Sequence, residues 1–228
     1  MNRLTTVAGA GAAAIALTLT IAGCSSSDKK EPAATSTTTS ETTTSAETTA
    51  SSAPQAAGGE TLDGYIKDAG LEKSTVAPGD PHPSIELPVP QGWSKADPSD
   101  DSPHGGLVYN EAVNKADPPR IKETVFKLTG NVDQAKVLQL AGSGLKSLPG
   151  FEPLGESSDG ELAGFKAAQT GGSYTKDGNS RLVAQKTVVI PTEGGVFVLQ
   201  LTAEGLESDM GPLMDATSEI DKQAKITP

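Results

Sequence analysis

Few side chains in this chain of 228 residues could carry covalent chemistry or hold a metal. It has one cysteine, Cys24, and two histidines, His82 and His104. A lone thiol forms no internal disulfide, and two histidines in separate Pro/Gly-rich loops make no cluster at zinc-ligand spacing. Asp97, Asp100 and Asp101 could offer oxygens to calcium, but the loop lacks the ligand register, glycine and distal glutamate of an EF-hand. It reads as a solvated acidic loop. His104-Gly105-Gly106 has the form of an oxyanion-hole turn of some esterases, which needs a G-x-S-x-G nucleophile elbow as partner. The closest serine, Ser143, stands in Ala141-Gly142-Ser143-Gly144, inside a helical pattern rather than at a strand-to-helix turn. Gly171-Gly172 and Gly194-Gly195 are doublets in strand and turn patterns with no helix behind them, unlike a phosphate loop. The expectation is no catalytic residue, no cofactor and no metal.

Cys24 is the exception, through what precedes it. Asn2 to Thr6 carries one cation, Arg3, and Val7 to Ala22 carries no charge and is mostly Ala, Ile, Leu and Val. A basic start, an apolar core and small residues before a cleavage point make a secretory signal. A transmembrane helix needs about 20 predominantly apolar residues; this run is short, rich in Ala and Gly, and broken by Thr18 and Thr20. Ile21-Ala22-Gly23-Cys24 resembles the bacterial lipobox. That implies cleavage after Gly23 and a Cys24 bearing S-diacylglycerol and an N-acyl chain of the palmitate type. A single acyl chain binds membranes only marginally, whereas two signals anchor stably. The chain is therefore expected to sit on the extracytoplasmic face of the cell membrane, held by Cys24.

The elements that would present any further site begin after a long tether. Between Thr35 and Ser52, 14 of 18 residues are Ser or Thr, and the others are Ala and Glu. Such a segment buries too little apolar area to offset the entropy of ordering. Residues 24–59 are therefore expected to be a disordered linker with a root-mean-square reach of about 30 Å. Its composition suits O-glycosylation and equally suits an unmodified spacer. The formal net charge is −11, and no Lys/Arg cluster accompanies it, which excludes nucleic acid as a partner.

Residues 60–228 are enough for one hydrophobic core. Leu62, Tyr65, Ile66 and Ala69 predict a short helix after Thr61, stopped by Gly70. Ile85, Leu87 and Val89, set among prolines, predict an edge strand before Gln91-Gly92 and Trp93. Leu107–Ala112 and Ile121–Leu128 read as strands. Asn131 is the expected N-cap of a helix with Asp133 in its first turn and a stripe of Val137, Leu138, Ala141, Leu145 and Leu148, ended by Pro149-Gly150. Leu162–Tyr174 alternates irregularly. Leu182–Ile190 and Val196–Ala203 predict a hairpin across Pro191–Gly195, with Lys186 marking a wet position. Ser208 is the expected cap of a last helix with the stripe Met210, Leu213, Met214, Thr217, Ile220 and Ala224, and with Lys222 and Lys225 at its C-terminal end. The class is α+β: a mainly antiparallel β-sheet flanked by α-helices.

With chemistry absent, binding leads. Pockets for apolar ligands are lined by aliphatic and aromatic side chains with a few oriented polar groups. Trp93, Tyr109, Phe126 and Tyr174 are the candidate ligand contacts, Trp93 and Tyr109 foremost because both border Gly/Pro-rich loops.

Several stretches carry a family likeness: Gly79-Asp80-Pro81, Ile85–Trp93 (IELPVPQGW), Lys127–Leu140 (KLTGNVDQAKVLQL), Leu148–Phe151, Gly171-Gly172-Ser173-Tyr174, Ala184–Pro191 (AQKTVVIP), Val198–Leu201 and Ala216-Thr217. On these the chain resembles the LpqN/LpqT family of mycobacterial and related actinobacterial lipoproteins. The resemblance implies a PsbP/Mog1-like fold and an accessory role in cell-envelope biogenesis. It further implies contacts with envelope glycolipids such as trehalose esters, with large inner-membrane lipid exporters, or with host proteins. No catalytic residues come with it. The alternative function is a protein–protein interaction module, scaffold or host-facing ligand, without a small-molecule site.

Overall fold

The computed structural model describes residues 60–228. The lipobox, Cys24 and the Ser/Thr-rich linker lie outside the described residues. Among the described residues no helix is long and apolar enough to cross a membrane.

In chain order the elements are α1 (Leu62–Asp68), β1 (Glu72–Thr75), β2 (Ser84–Glu86), β3 (Trp93–Ala96), β4 (Gly106–Tyr109), β5 (Arg120–Thr129) and α2 (Gln134–Leu140). They continue with β6 (Glu152–Pro153), β7 (Ser158–Leu162), β8 (Phe165–Lys176), β9 (Asn179–Thr192), β10 (Gly195–Leu206), α3 (Met210–Gln223) and β11 (Lys225–Thr227). The main sheet runs β3-β4-β5-β10-β9-β8-β6, with β1 also on β5 and β7 also on β8; β2 and β11 form a separate ribbon. Every pairing is antiparallel. The fold is α+β, a mainly antiparallel sheet with helices on both faces.

The two faces follow from strand alternation. Along β10, Phe197, Leu199, Leu201 and Ala203 enter one cluster with Leu213, Ala216 and Ile220 of α3. Val196 and Val198 point the other way, into a cluster with Leu62 and Ile66 of α1 and Val137 and Leu140 of α2. A smaller cluster joins Leu145, Tyr174 and Val183, with Leu148 and Phe151 against it.

Local chemistry sets the boundaries. Thr61 caps α1 by accepting the Gly64 N–H at 3.1 Å. For α2 the cap is Asp133, which accepts the Lys136 N–H at 3.1 Å, and not Asn131. The helix also stops early, at Leu140, and Ala141–Ser143 and Leu145–Ser147 become separate 3-10 turns. The cause is proximity: Gly142 lies so close to Thr170 on β8 that a Cβ would overlap its side chain. Backbone approach of that kind, rather than the apolar stripe, dictates the path there.

At the last helix, Ser208 lies within a 3-10 turn (Glu207–Asp209) and caps nothing, and Lys225 belongs to β11. The expected stripe splits. Leu213 and Ile220 are buried, joined by Ala216 from outside that stripe, whereas Met210 and Met214 are 40% and 63% exposed. The irregular stretch around Leu162 resolves into β7 and β8 joined by Ala163-Gly164, both with positive φ. That is the requirement of a type I′ hairpin turn. The β9–β10 hairpin is longer than its pattern, and its turn shrinks to Glu193-Gly194.

Candidate functional site

The exposed methionines mark a groove. Cross-strand partners share a face, so the registers place Ile121, Ala203, Ala184 and Gly171 in one row across β5, β10, β9 and β8. Three of these four are the smallest residues available. Where a sheet offers only Gly and Ala, a helix above it leaves a gap, and here the gap lies beneath one flank of α3. It is an open cavity of about 350 Å³. Its walls are Leu182 from the sheet and Met210, Leu213, Met214 and Thr217 from α3. Leu154, itself 64% exposed, also lines it.

The lining is mixed, with Thr217 adding a hydroxyl on the helix side. Glu156 and Ser158 stand with Leu154 at the mouth, and Gln169 lies on the floor. The floor continues past Ala184 and Ala203 to a small recess of about 30 Å³ bounded by Ile121, Leu201, Ile220, Lys186 and Asp221. There the Lys186 ammonium donates to the Asp221 carboxylate and pins the far end of α3 to the sheet. The Lys186 side chain is only 15% exposed, so its charge is answered by Asp221 rather than by open water.

One polar residue on this face has no such answer. Leu201 pairs with Glu123 on one side and Lys186 on the other, so Glu123 joins the row Glu123–Leu201–Lys186–Gln169. Burial pushes its carboxyl up from 4.5 to about 7. On the opposite face burial depresses Lys122, but its ion pairs with Asp101 and Glu204, at 2.9 and 3.0 Å, outweigh that and raise it.

The four candidate aromatics do not converge. Trp93 and Tyr109 do meet, as cross-strand partners of β3 and β4 with ring centroids 5.4 Å apart. Phe126 is buried on the face covered by α1, under the Lys73 ammonium at 4.8 Å. Tyr174 packs in the third cluster beside Leu145 and Val183. Neither Phe126 nor Tyr174 lines the methionine groove. Ser143 and His104 are also apart in role: Ser143 Oγ accepts the Leu62 N–H at 3.0 Å, and His104 Nε2 donates to the Val76 carbonyl at 2.9 Å. Asp101 accepts from Lys122 and from the Ser99 hydroxyl, both protein groups. Among the described residues no group of three or more His, Cys, Asp and Glu gathers as metal ligands do.

The groove residues were missed in the sequence because Met210 and Met214 fit a core stripe. The signal available was the methionine pair itself, since flexible thioethers at i and i+4 recur on adaptable binding surfaces. The row of small residues needs the strand register and is not visible without it.

Fold and groove together define a class: a small antiparallel α+β domain with a methionine-lined cleft under one helix. Residues 59–227 match the family model described as probable lipoprotein LpqN. A curated relative, lipoprotein LpqN of Mycobacterium tuberculosis (strain ATCC 25618 / H37Rv), is 52% identical over 223 residues, covering 96% of this chain and 98% of the relative. A crystal structure described as LpqN involved in cell envelope biogenesis of Mycobacterium tuberculosis superposes with a TM-score of 0.71 at 49% identity, covering 74% of this chain and 98% of that one. The chain belongs to the LpqN family of lipoproteins. That family carries the membrane-anchored, envelope address read from Cys24.

Proposed function

We propose that this lipoprotein is a non-catalytic accessory of cell-envelope biogenesis whose α3 groove holds an apolar chain of an envelope glycolipid. The groove is the observation that carries the reading. It is open to solvent, lined mainly by aliphatic and methionine side chains, and bordered by Glu156 and Ser158. An amphiphile fits with its chain against Ala184, Ala203 and Met214 and its hydroxylated head at the mouth. Covering an exposed methionine-sized side chain contributes about 1.5–3 kcal/mol, so Leu154, Met210 and Met214 supply a driving force that the free protein leaves unused. The involvement of the similar LpqN in cell envelope biogenesis supports the same setting here. Anchored by a diacylated Cys24 on the outer side of the membrane, the domain would take lipid from, or hand it to, the inner-membrane export machinery.

Native mass spectrometry of the protein taken from its own envelope tests this. Stoichiometric glycolipid adducts are expected, and Gly171→Val should abolish them by filling the floor. A clean apo mass, with no gain in melting temperature on adding glycolipid, overturns the reading. The anchor has a separate test: Cys24→Ala should move the protein from the membrane fraction to the soluble one.

A further inference from the structure

The other flank of α3 carries a second cleft of different chemistry. It is an open cavity of about 460 Å³ between the β3–β4 pair and the helix. Its wall is the Trp93–Tyr109 pair, with Trp93 6% exposed and Tyr109 half-buried in front of it. Besides the Tyr109 hydroxyl and the Trp93 indole N–H, its polar groups are Gln91 and three carboxylates, Glu111, Asp215 and Glu219. Asp215 and Glu219 are one turn apart on α3, a spacing at which like charges repel. No Lys, Arg or His lines the cleft, and among the described residues none of the three carboxylates is in an ion pair. Their one side-chain bond is weak: Gln223 donates to Glu219 at 3.3 Å.

An aromatic face beside uncompensated carboxylates attracts an organic cation twice, through the ring quadrupole and through charge. A sugar would also stack on such a wall, but every hydroxyl both donates and accepts. Gln91, the Tyr109 hydroxyl and the Trp93 indole N–H can donate here, but the three carboxylates only accept, and three such charges with no cation beside them favour a guanidinium or ammonium over a neutral sugar. We propose that the cleft is the docking site for a basic segment of a partner protein, one of whose arginine or lysine side chains enters between Tyr109 and Glu111, Asp215 and Glu219. This site shares no lining residue with the groove on the other flank, so it stands whether or not that groove takes lipid.

Trp93 is the only tryptophan in the chain, and its fluorescence therefore reports from the wall of this cleft. The mature chain carrying Cys24→Ala is titrated with a short peptide containing two arginines and with its counterpart containing citrulline, the same shape without the charge. A saturable change with the arginine peptide is expected, weakening as salt rises through the screening range. Citrulline should bind at least about tenfold more weakly, and so should the arginine peptide to the Glu111→Gln/Asp215→Asn/Glu219→Gln variant, as the loss of three partly exposed charge contacts implies. The variant's melting temperature, measured alongside, should not fall. Equal responses to both peptides, unchanged affinity in a folded variant, or a response to a methyl glycoside and not to the arginine peptide each overturns the proposal. So does the absence of any saturable signal.

Discussion

One face of the central sheet is packed to closure at one end and left open at the other. The row Val125, Leu199, Val188 and Ala167 crosses the same four strands as the row Ile121, Ala203, Ala184 and Gly171, four residues further along each. In the first row no residue is more than 3% exposed. In the second, small side chains replace the central Leu and Val, and a groove opens beneath α3. Backbone pairing is continuous through both rows. Side-chain volume at three positions thus separates core from site, and the α3 flank above carries methionines where a core would carry leucine.

The comparison breaks most visibly at the closed end. Leu199→Ala should lower stability by about 2–5 kcal/mol, read from urea midpoints, because the surrounding strands cannot collapse into the space. The polar row between the two ends is the next test. Glu123 keeps its proton up to about 7 in the fold but only to its ordinary 4.5 in the unfolded chain. Between those values the folded state binds more protons, so its contribution to stability falls as pH rises. Glu123→Gln should therefore gain up to about 3 kcal/mol above pH 7 and nothing below 4.5, a difference that melting curves at the two extremes measure. At the open end the cost should vanish. A Cβ at Gly171 meets the Val183 carbonyl oxygen at 3.4 Å and the Ala184 Cβ at 3.5 Å, ordinary contact distances. Gly171→Val should accordingly leave stability unchanged or raise it by about 0.5–1 kcal/mol, while removing the lipid adduct. The smallest stability effect belongs to Met214→Ser, within about 0.5 kcal/mol at so exposed a position. Its readout is amphiphile affinity, which should drop severalfold in a titration.

What was legible in the sequence follows from how local each signal is. Thr61 before Leu62, and the alternation of Val196–Ala203, are local, and both elements formed as read. Asp177-Gly178, with φ values of 52° and 77°, is an equally local hairpin signal joining β8 to β9, and it went unread between two strands taken separately. The shortening of α2 was not local, because Thr170, which displaces it, comes from a strand nearly 30 residues on. The candidate site divides in the same way. Trp93 and Tyr109 were found from their loops and do border a cleft, whereas the methionine groove depends on a register among four strands. Phe126 borders a separate cavity beside α1, and Tyr174 packs in the third cluster, so aromatic type alone does not say which rings share a site.

The order of strands has a consequence for export. β7 through β10 form a meander in which each strand follows its partner, so that portion can zip locally. β5 is different, because its long partner β10 lies across α2 and the entire meander in sequence. A chain crossing a membrane from its N-terminus delivers β5 well before β10. Ten residues of strand, Arg120 to Thr129, must wait with one edge uncovered until nearly the whole domain is across. Pairings of such separation are slow because loop closure precedes their reward. A chain that crosses a membrane in this order completes its central sheet only when β10 arrives.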